Sequence, residues 1–517
     1  MRRALRGLVA AFVGAATLIA SNAPARAKGP VPNHLPLADE PDPAFVYETV
    51  AETDPERASL EEFFILAAGY AQYGLNKNAN ERDWVVGTNW DGLKRKLTFG
   101  ASAFDDNHFD TNWLTHPASG FFYYGAARGN RLGVVSSLAM SFATSFLWEM
   151  FGEVREATSW NDIISTPTSG APIAESFLQV GALMHRSKKT PLTVSAGWLF
   201  APFKSAHDAL DGLTPRHAER VDDLGFADDV WHRFTIGAAG GATHQRGTPR
   251  TESDARGWLS SEIVTVPGYR REGRGGRGFD SGEVTAFRLQ FAGASGRFVD
   301  FGVRASMLPA GYFWHHVSRS AAGRLHGHSI LTGVRLDTEY TRHDYDRDGR
   351  KRDDRIALVG IGATNEEIVH AGAATIRARV DVTAHFGGVT AYALDERRAI
   401  HGDAGLTSVL RDESYYHSYG GTVRPSLELE VDAFDLGGTV QFDAFRAIEG
   451  VGVYGYLPGE IGASDRRIHA RVAAGARLLR HVRVFAQGER NERWGTAGEQ
   501  HAARSEVGLY GGVEAVF

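Results

Sequence analysis

The 517-residue chain contains no cysteine. Disulfide frameworks, zinc–thiolate centres, thiol nucleophiles and a lipid-modified cysteine anchor are therefore excluded. Proline is scarce, 18 residues against 60 glycines, and aromatic residues make up 11%. That balance suits a β-rich chain with many tight turns and argues against a disordered or collagen-like one. Positive charge is not in surplus, with a formal net charge of -6 and a pI near 6.4. The electrostatic footprint of nucleic-acid binding is thus missing. No P-loop, G-x-S-x-G or H-E-x-x-H pattern occurs either. What remains is a chain long enough to bury one large core or two smaller ones.

Arg2, Arg3 and Arg6 precede an apolar run from Leu8 to about Ala20, and Ala25-Arg26-Ala27 follows. This is the layout of a secretory signal peptide over residues 1–27, with a mature start at Lys28. Residues 28–60, rich in Pro, Asp, Glu and Ala, read as a flexible lead-in. A motif-bearing helical region is expected over 61–215. In it Leu60–Leu75 forms a short helix and residues 92–104 alternate as a strand.

The centre of that region is the stretch from Asp105 to Glu175. Between about Arg131 and Glu156, Phe142, Phe146 and Met150 recur every four residues and mark one side of a helix. Ser137, Ser141, Ser145, Glu149 and Glu153 form a polar stripe on another side. The helix is expected to be buried in protein. His116, Ser145, Glu149 and Asp162 are residue types for catalysis, with His116 as base and Ser145 as nucleophile. Glu149 and Glu153, one turn apart, also resemble half of a helical metal site. The structural alternative makes His116-Pro117 a chain-entry turn. Glu149 and Glu153 then pair with Arg128, Arg131 or Arg155, and Asp162 caps Ile163-Ile164. Further on, Ile173, Phe177, Val180 and Met184 mark a helix over 173–187, and Pro191 opens another.

The ordered set Asn112, His116, Pro117, Gly120, Tyr124, Arg128, Ser145, Trp148, Glu149, Glu153, Ser159, Asn161, Asp162, Gly170 and Glu175 resembles an uncharacterised bacterial family. That family is the domain of unknown function 3943 of predicted envelope proteins. The resemblance spans roughly residues 95–210. Ala174 and Thr158 depart from it, at positions that bear on turn geometry. The family has no established activity, so the resemblance implies no reaction.

After Val230 the hydrophobic period changes from four to two. Val299, Phe301, Val303, Ala305 and Met307 oppose Asp300, Arg304 and Ser306. Ile376, Ala378, Val380, Val382, Ala384 and Phe386 oppose Arg377, Arg379, Asp381, Thr383 and His385. The pattern returns in 427–433, 468–478 and 507–517, with turns at 274–282, 344–354 and 459–466. About twelve such segments begin near 231, 257, 282, 297, 325, 354, 374, 417, 434, 465, 480 and 504, each close to membrane-strand length. Small apolar residues on one face and charges of both signs on the other describe lipid and lumen sides. The closing strand, which ends on Phe517, resembles the signal read by the outer-membrane barrel assembly machinery.

The fold class that follows is an α+β membrane protein. A helical N-terminal region precedes a transmembrane antiparallel β-barrel of about twelve strands over 230–517, in the cell outer membrane. The helices are expected to plug or brace the lumen, with Glu149 and Glu153 meeting lumen arginines. The function is structural, binding or pore-like, with lipid or a small solute as partner. The alternative is an embedded hydrolase or modifying enzyme acting on lipid or envelope glycan. Asp344, Asp346 and Asp348 match half of a calcium loop, but Arg355 stands where the bidentate Glu belongs. The cluster Tyr415-Tyr416-His417-Ser418-Tyr419 reads as an interfacial aromatic girdle.

Overall fold

The computed structural model describes residues 42–75, 86–246, 251–294, 297–347, 350–406, 408–448 and 461–517. The expected signal peptide lies outside them. The N-terminal half carries α1 (Pro55–Leu75), α2 (Trp90–Leu97), α3 (His116–Gly129), α4 (Val134–Leu147), α5 (Trp160–Arg186), α6 (Pro191–Phe200) and α7 (Pro202–Leu210). A short parallel pair, β1 (Ser102–Ala103) with β2 (Thr158–Ser159), ties the segment before α3 to the start of α5.

Three expectations for this half are corrected. The lead-in is packed at Pro43–Tyr47, where Ala44, Phe45 and Tyr47 are buried against Leu178, Ala182 and Ala201 of α5 and the α6–α7 junction. Residues 92–97 are helical, and only Ser102–Ala103 of the expected strand are strand, because Asn89 caps α2 by accepting from the Gly92 amide and three basic residues fill its last turn. The helix expected from 173 starts at Trp160 and passes through Pro167 and Pro172. Its N-cap is Ser159, whose side chain accepts from the Asp162 amide, so Asp162 sits in the first turn and is not the cap.

The C-terminal half is a closed barrel. Its strands are β3 (Trp231–Gln245), β4 (Thr251–Val264), β5 (Gly273–Phe279), β6 (Val284–Ala294), β7 (Arg297–Arg319), β8 (Leu325–Arg347), β9 (Arg350–Ala371), β10 (Ala374–Thr390), β11 (Tyr415–Val431), β12 (Phe434–Ala447), β13 (Ala463–Leu479), β14 (Val482–Ala497) and β15 (Gln500–Val516). Twelve of them form an antiparallel ring, closed where β15 meets β3 and where β7 meets β8. The thirteenth, β5, lies in the segment expected to be a turn. It pairs with the part of β7 that β6 does not reach. Two helices, α8 (Leu394–His401) and α9 (Ser408–Asp412), fill the connection from β10 to β11.

Ion pairs that cross the ring identify the lumen side of each strand. Arg467 of β13 reaches Glu339 of β8 at 2.8 Å, and Arg233 of β3 reaches Glu428 of β11 at 3.3 Å. Arg256 of β4 meets Glu489 of β14 at 2.5 Å, and Arg493 of β14 meets Asp354 of β9. Alternation then turns Leu509, Val513, Val472, Leu436, Val423 and Val380 outward, where they are exposed. A closed ring with an apolar outer wall and a charged lumen satisfies every strand edge in lipid. The protein is an outer-membrane β-barrel. Placing Arg at Leu509, which is 69% exposed, is expected to cost about 2–4 kcal/mol in lipid. Arg at the neighbouring lumen position Gln487 should be tolerated. Equilibrium unfolding in bilayers measures both.

The same parity locates the helices. Met307, Leu336, Tyr340, Ala357, Val359, Phe386 and Tyr415 also point outward, yet all are buried, packed against Phe104, Phe109, Trp113, Tyr124, Ala171 and Ala174. Phe177 of α5 stacks edge-on against outward Phe287 of β6, with centroids 5.1 Å apart. The helical half therefore lies on the outer wall of the barrel along β4 and β6 to β11, and the expected lumen plug is corrected to an external layer. The lumen already has filling of its own. Tyr269, from the β4–β5 connection, donates to Glu366 and packs with Val266, Phe279, Phe313 and Leu331 at one end. Leu394, Leu406 and Leu410 cover Ile356, Leu358, Tyr416 and Phe445 at the other.

The helix over Arg131–Glu156 is likewise half corrected. Ser137, Ser141, Thr144, Ser145 and Glu149 face inward as a buried stripe, but Val135, Phe146, Leu147 and Phe151 are exposed. Val134–Gly152 has the length and apolar composition to cross a membrane. The girdle reading of residues 415–419 fits Tyr419 alone, which is 45% exposed. Tyr415 and His417 are buried under the helical layer because they supply its polar anchors.

Candidate functional site

The residues from Asp105 to Glu175 assemble at the contact of α3, α4 and α5. Inward-facing serines and glycines allow these helices to touch through their backbones. A Cβ built at Gly120 would lie 1.8 Å from the Thr166 carbonyl oxygen, and one at Gly170 would lie 2.2 Å from the Gly120 carbonyl carbon. Only glycine fits either place.

Two polar centres flank this crossing. At one, Arg128 is 1% exposed and forks onto Glu175, with Nε donating to Oε2 at 2.8 Å and Nη2 to Oε1 at 2.9 Å. Tyr124 donates to the same carboxylate, and Arg128 Nη1 donates to Asp42 and to the Leu132 carbonyl. Glu175 is the partner that Arg128 finds, not Glu149 or Glu153.

At the other centre, His116 begins α3 and Asp162 lies in the first turn of α5, with Nε2 and Oδ1 3.6 Å apart. Asp105 completes the group, and one ligand-capable atom from each of the three lies within 4.8 Å of the others. Asp105 is held from both sides. Its amide donates to Asn161 Oδ1, and its carbonyl accepts from His417 of β11. Burial first, and the charge of Asp162 second, hold the Asp105 carboxyl well above its usual range, while His116 opposes the shift. Asn112 donates to Tyr415 Oη, and Tyr415 donates to the Asn107 carbonyl, so this corner of the layer is pinned to β11.

The other expected residues lie close by without joining a catalytic set. Ser145 Oγ donates to the Asp162 carbonyl at 3.1 Å, and the contact of His116 is with Asp162. Glu149, with no exposed surface, accepts from the Ser159 amide at 2.8 Å. Glu153 accepts from Trp148 Nε1, and its carbonyl accepts from Lys96. The meeting of Glu149 and Glu153 with lumen arginines is therefore corrected: their partners belong to the helical layer, on the far side of the barrel wall. Sequence reasoning missed Asp105 as a member, although it opens the stretch. Asp344 and Asp346 fall in β8, and Asp348 lies outside the described residues.

A separate concavity of about 610 Å³ occupies the lumen. Its wall includes Trp258, Arg288, Gln290, Arg304, Glu339, Arg467, His469, Arg471 and Glu489. Most of these charges are paired: Arg304 and Arg467 with Glu339, and Arg256 with Glu489. Among the described residues, Arg288 and Arg471 have no ion pair. Arg288 instead donates from Nε to Gln290 Oε1 at 3.3 Å and lies over the Trp258 ring, 5.7 Å from its centroid. Residue 471 was legible as a polar-face position, but its facing of Arg288 from another strand was not.

Residues 101–203 match the sequence profile of the family described as Domain of unknown function (DUF3943). No curated protein matches the chain. Among solved structures, it is similar to OmpT, an outer-membrane protein of Vibrio cholerae, at 8% identity, covering 58% of this chain and 100% of that one with a TM-score of 0.22. The outer-membrane phospholipase A of Escherichia coli is similar at 10% identity, with 55% and 89% coverage and a TM-score of 0.21. A Pseudomonas aeruginosa FadL homologue is similar at 10% identity, with 56% and 91% coverage and a TM-score of 0.23.

Proposed function

We propose that this protein is a solute-binding outer-membrane barrel braced from outside by its own helices. The observation that carries the reading is the lumen cavity of about 610 Å³, left open because the helical layer packs on the outer wall. Two guanidinium groups in its wall that have no ion pair among the described residues, Arg288 and Arg471, suit a small polar solute with an anionic group. The packed ends of the lumen favour binding over free conduction. The exposed faces of α3, α4 and α6, with Phe122, Val135, Leu147, Leu192, Trp198 and Leu199, suit contact with lipid.

The test is titration of the detergent-folded full-length protein with inorganic phosphate and small carboxylates, followed by fluorescence of the tryptophans that include Trp258. Saturable quenching is expected. Arg288→Ala and Arg471→Ala should each weaken it by about ten- to a hundredfold, the loss of one charge-assisted hydrogen bond of about 1.5–3 kcal/mol. No saturable signal with either probe, or a steady open conductance in planar bilayers, overturns the reading.

A further inference from the structure

We propose that Asp105, His116 and Asp162 form a binding site for a zinc-like divalent cation within the helical layer, beside the barrel wall. The inference does not depend on the lumen reading.

The first support is an unmet bonding requirement. Asp162 is 1% exposed, and its Oδ2 has no hydrogen-bond donor. His116 Nε2 is buried without a hydrogen-bond partner. Buried polar atoms are rarely left in this state, and an ion is one of the few explanations. The second support is chemical. Asp105 and Asp162 lie within hydrogen-bond reach of each other, and two carboxylates so placed need a shared proton or a cation.

The third support is spacing. A tetrahedral zinc ion with ligands about 2.1 Å away sets those ligands about 3.4 Å apart. His116 Nε2 and Asp162 Oδ1 are 3.6 Å apart, too far for a hydrogen bond but suited to that edge. The third ligand atom lies within 4.8 Å and needs only a small side-chain movement. One imidazole and two carboxylates suit zinc or manganese better than calcium, which takes six to eight oxygens. Both carboxylates are also held in place by neighbouring donors. Asn161 Nδ2 donates to Asp162 Oδ1 at 2.8 Å, and the Asn107 amide donates to Asp105 Oδ1 at 3.0 Å.

Such a cation would join the 104–112 segment, α3 and α5 at the corner where His417 and Tyr415 of β11 hold the layer. It would act as a clip among three parts of the helical layer, beside the point where His417 holds the Asp105 carbonyl.

The experiment uses the full-length protein in detergent, stripped with a chelator and then titrated with Zn²⁺, with bound metal counted by elemental analysis. One equivalent per chain is expected. Asp105→Asn and His116→Gln should each weaken uptake at least roughly tenfold, the loss expected even for an outer-shell partner. Folding of each variant is checked by the faster migration of unboiled samples. If the variants fail to fold, the wild-type protein decides: Co²⁺ should give visible d–d bands of a low-coordinate site that Zn²⁺ erases. Absence of both Zn²⁺ uptake and Co²⁺ bands overturns the proposal and leaves a shared proton. Uptake unchanged in folded variants overturns it too.

Discussion

Replacing Arg128 by Ala is expected to destabilise the helical layer by about 3–5 kcal/mol, the cost of removing one partner of a buried ion pair. Arg128 is 1% exposed and Glu175 has no exposed surface. Their fork brings together two helices, and Asp42 binds the same guanidinium from the N-terminal segment. Without Arg128, the Glu175 carboxylate keeps only Tyr124 and Gln179 as donors. Arg128→Met combined with Glu175→Met and Asp42→Asn should recover much of the loss, because neither carboxylate that Arg128 binds is then left as an unpaired charge. Equilibrium unfolding measures the difference, and limited proteolysis should show helices digested while the barrel survives. A cost of Arg128→Ala below about 1 kcal/mol, the usual value of an exposed pair, would contradict the buried network.

The second large effect is expected at the helix crossing. Gly120→Ala and Gly170→Ala should each cost about 3 kcal/mol or more, at or above the upper end of ordinary overpacking. The reason is that the new methyl meets backbone, which has no rotamer to escape into. Its distance would be 1.8 Å to the Thr166 oxygen in one case and 2.2 Å to the Gly120 carbonyl carbon in the other. Both substitutions separate the same pair of helices. The double variant should therefore cost less than the sum, because the second methyl enters space that the first has opened. Strict additivity in equilibrium unfolding would show that the two glycines do not share a contact.

Much of the barrel was legible in the chain. Period-two patterning depends only on local geometry: each residue alternates sides whatever the strand's neighbours are. Hence the expected strand starts at 231, 297, 325, 374 and 434 coincide with those of β3, β7, β8, β10 and β12. The strand β5 was missed because GRGGRGF has the composition of a turn, and it is held by pairing with β7. The buried serine stripe of α4 was legible from its spacing of four. Its companion expectation, a helix enclosed by protein on all sides, was not met, because an apolar helix face looks the same whether protein or lipid covers it.

The candidate site was legible only in its parts. His116 and Asp162 were recognised as chemically capable, and the structure brings them to 3.6 Å. Asp105 was not chosen, since a residue eleven positions from His116 and fifty-seven from Asp162 has no local signal of meeting them. The partner of Arg128 was open for the same reason: it is Glu175, in another helix.

What the sequence determined by itself is the class of molecule: strands that alternate apolar and charged faces in about twelve membrane-length segments, preceded by amphipathic helices with a polar stripe. These follow from short-range periodicity, which each segment carries alone. Only the tertiary structure decided on which side of the barrel wall the helices lie. An outward Leu336 or Tyr340 is as apolar when it faces α5 and Phe109 as when it faces lipid, so the pattern cannot tell the two apart. That choice leaves the lumen cavity open, and it brings Asp105, His116 and Asp162 together beside the outside of the barrel.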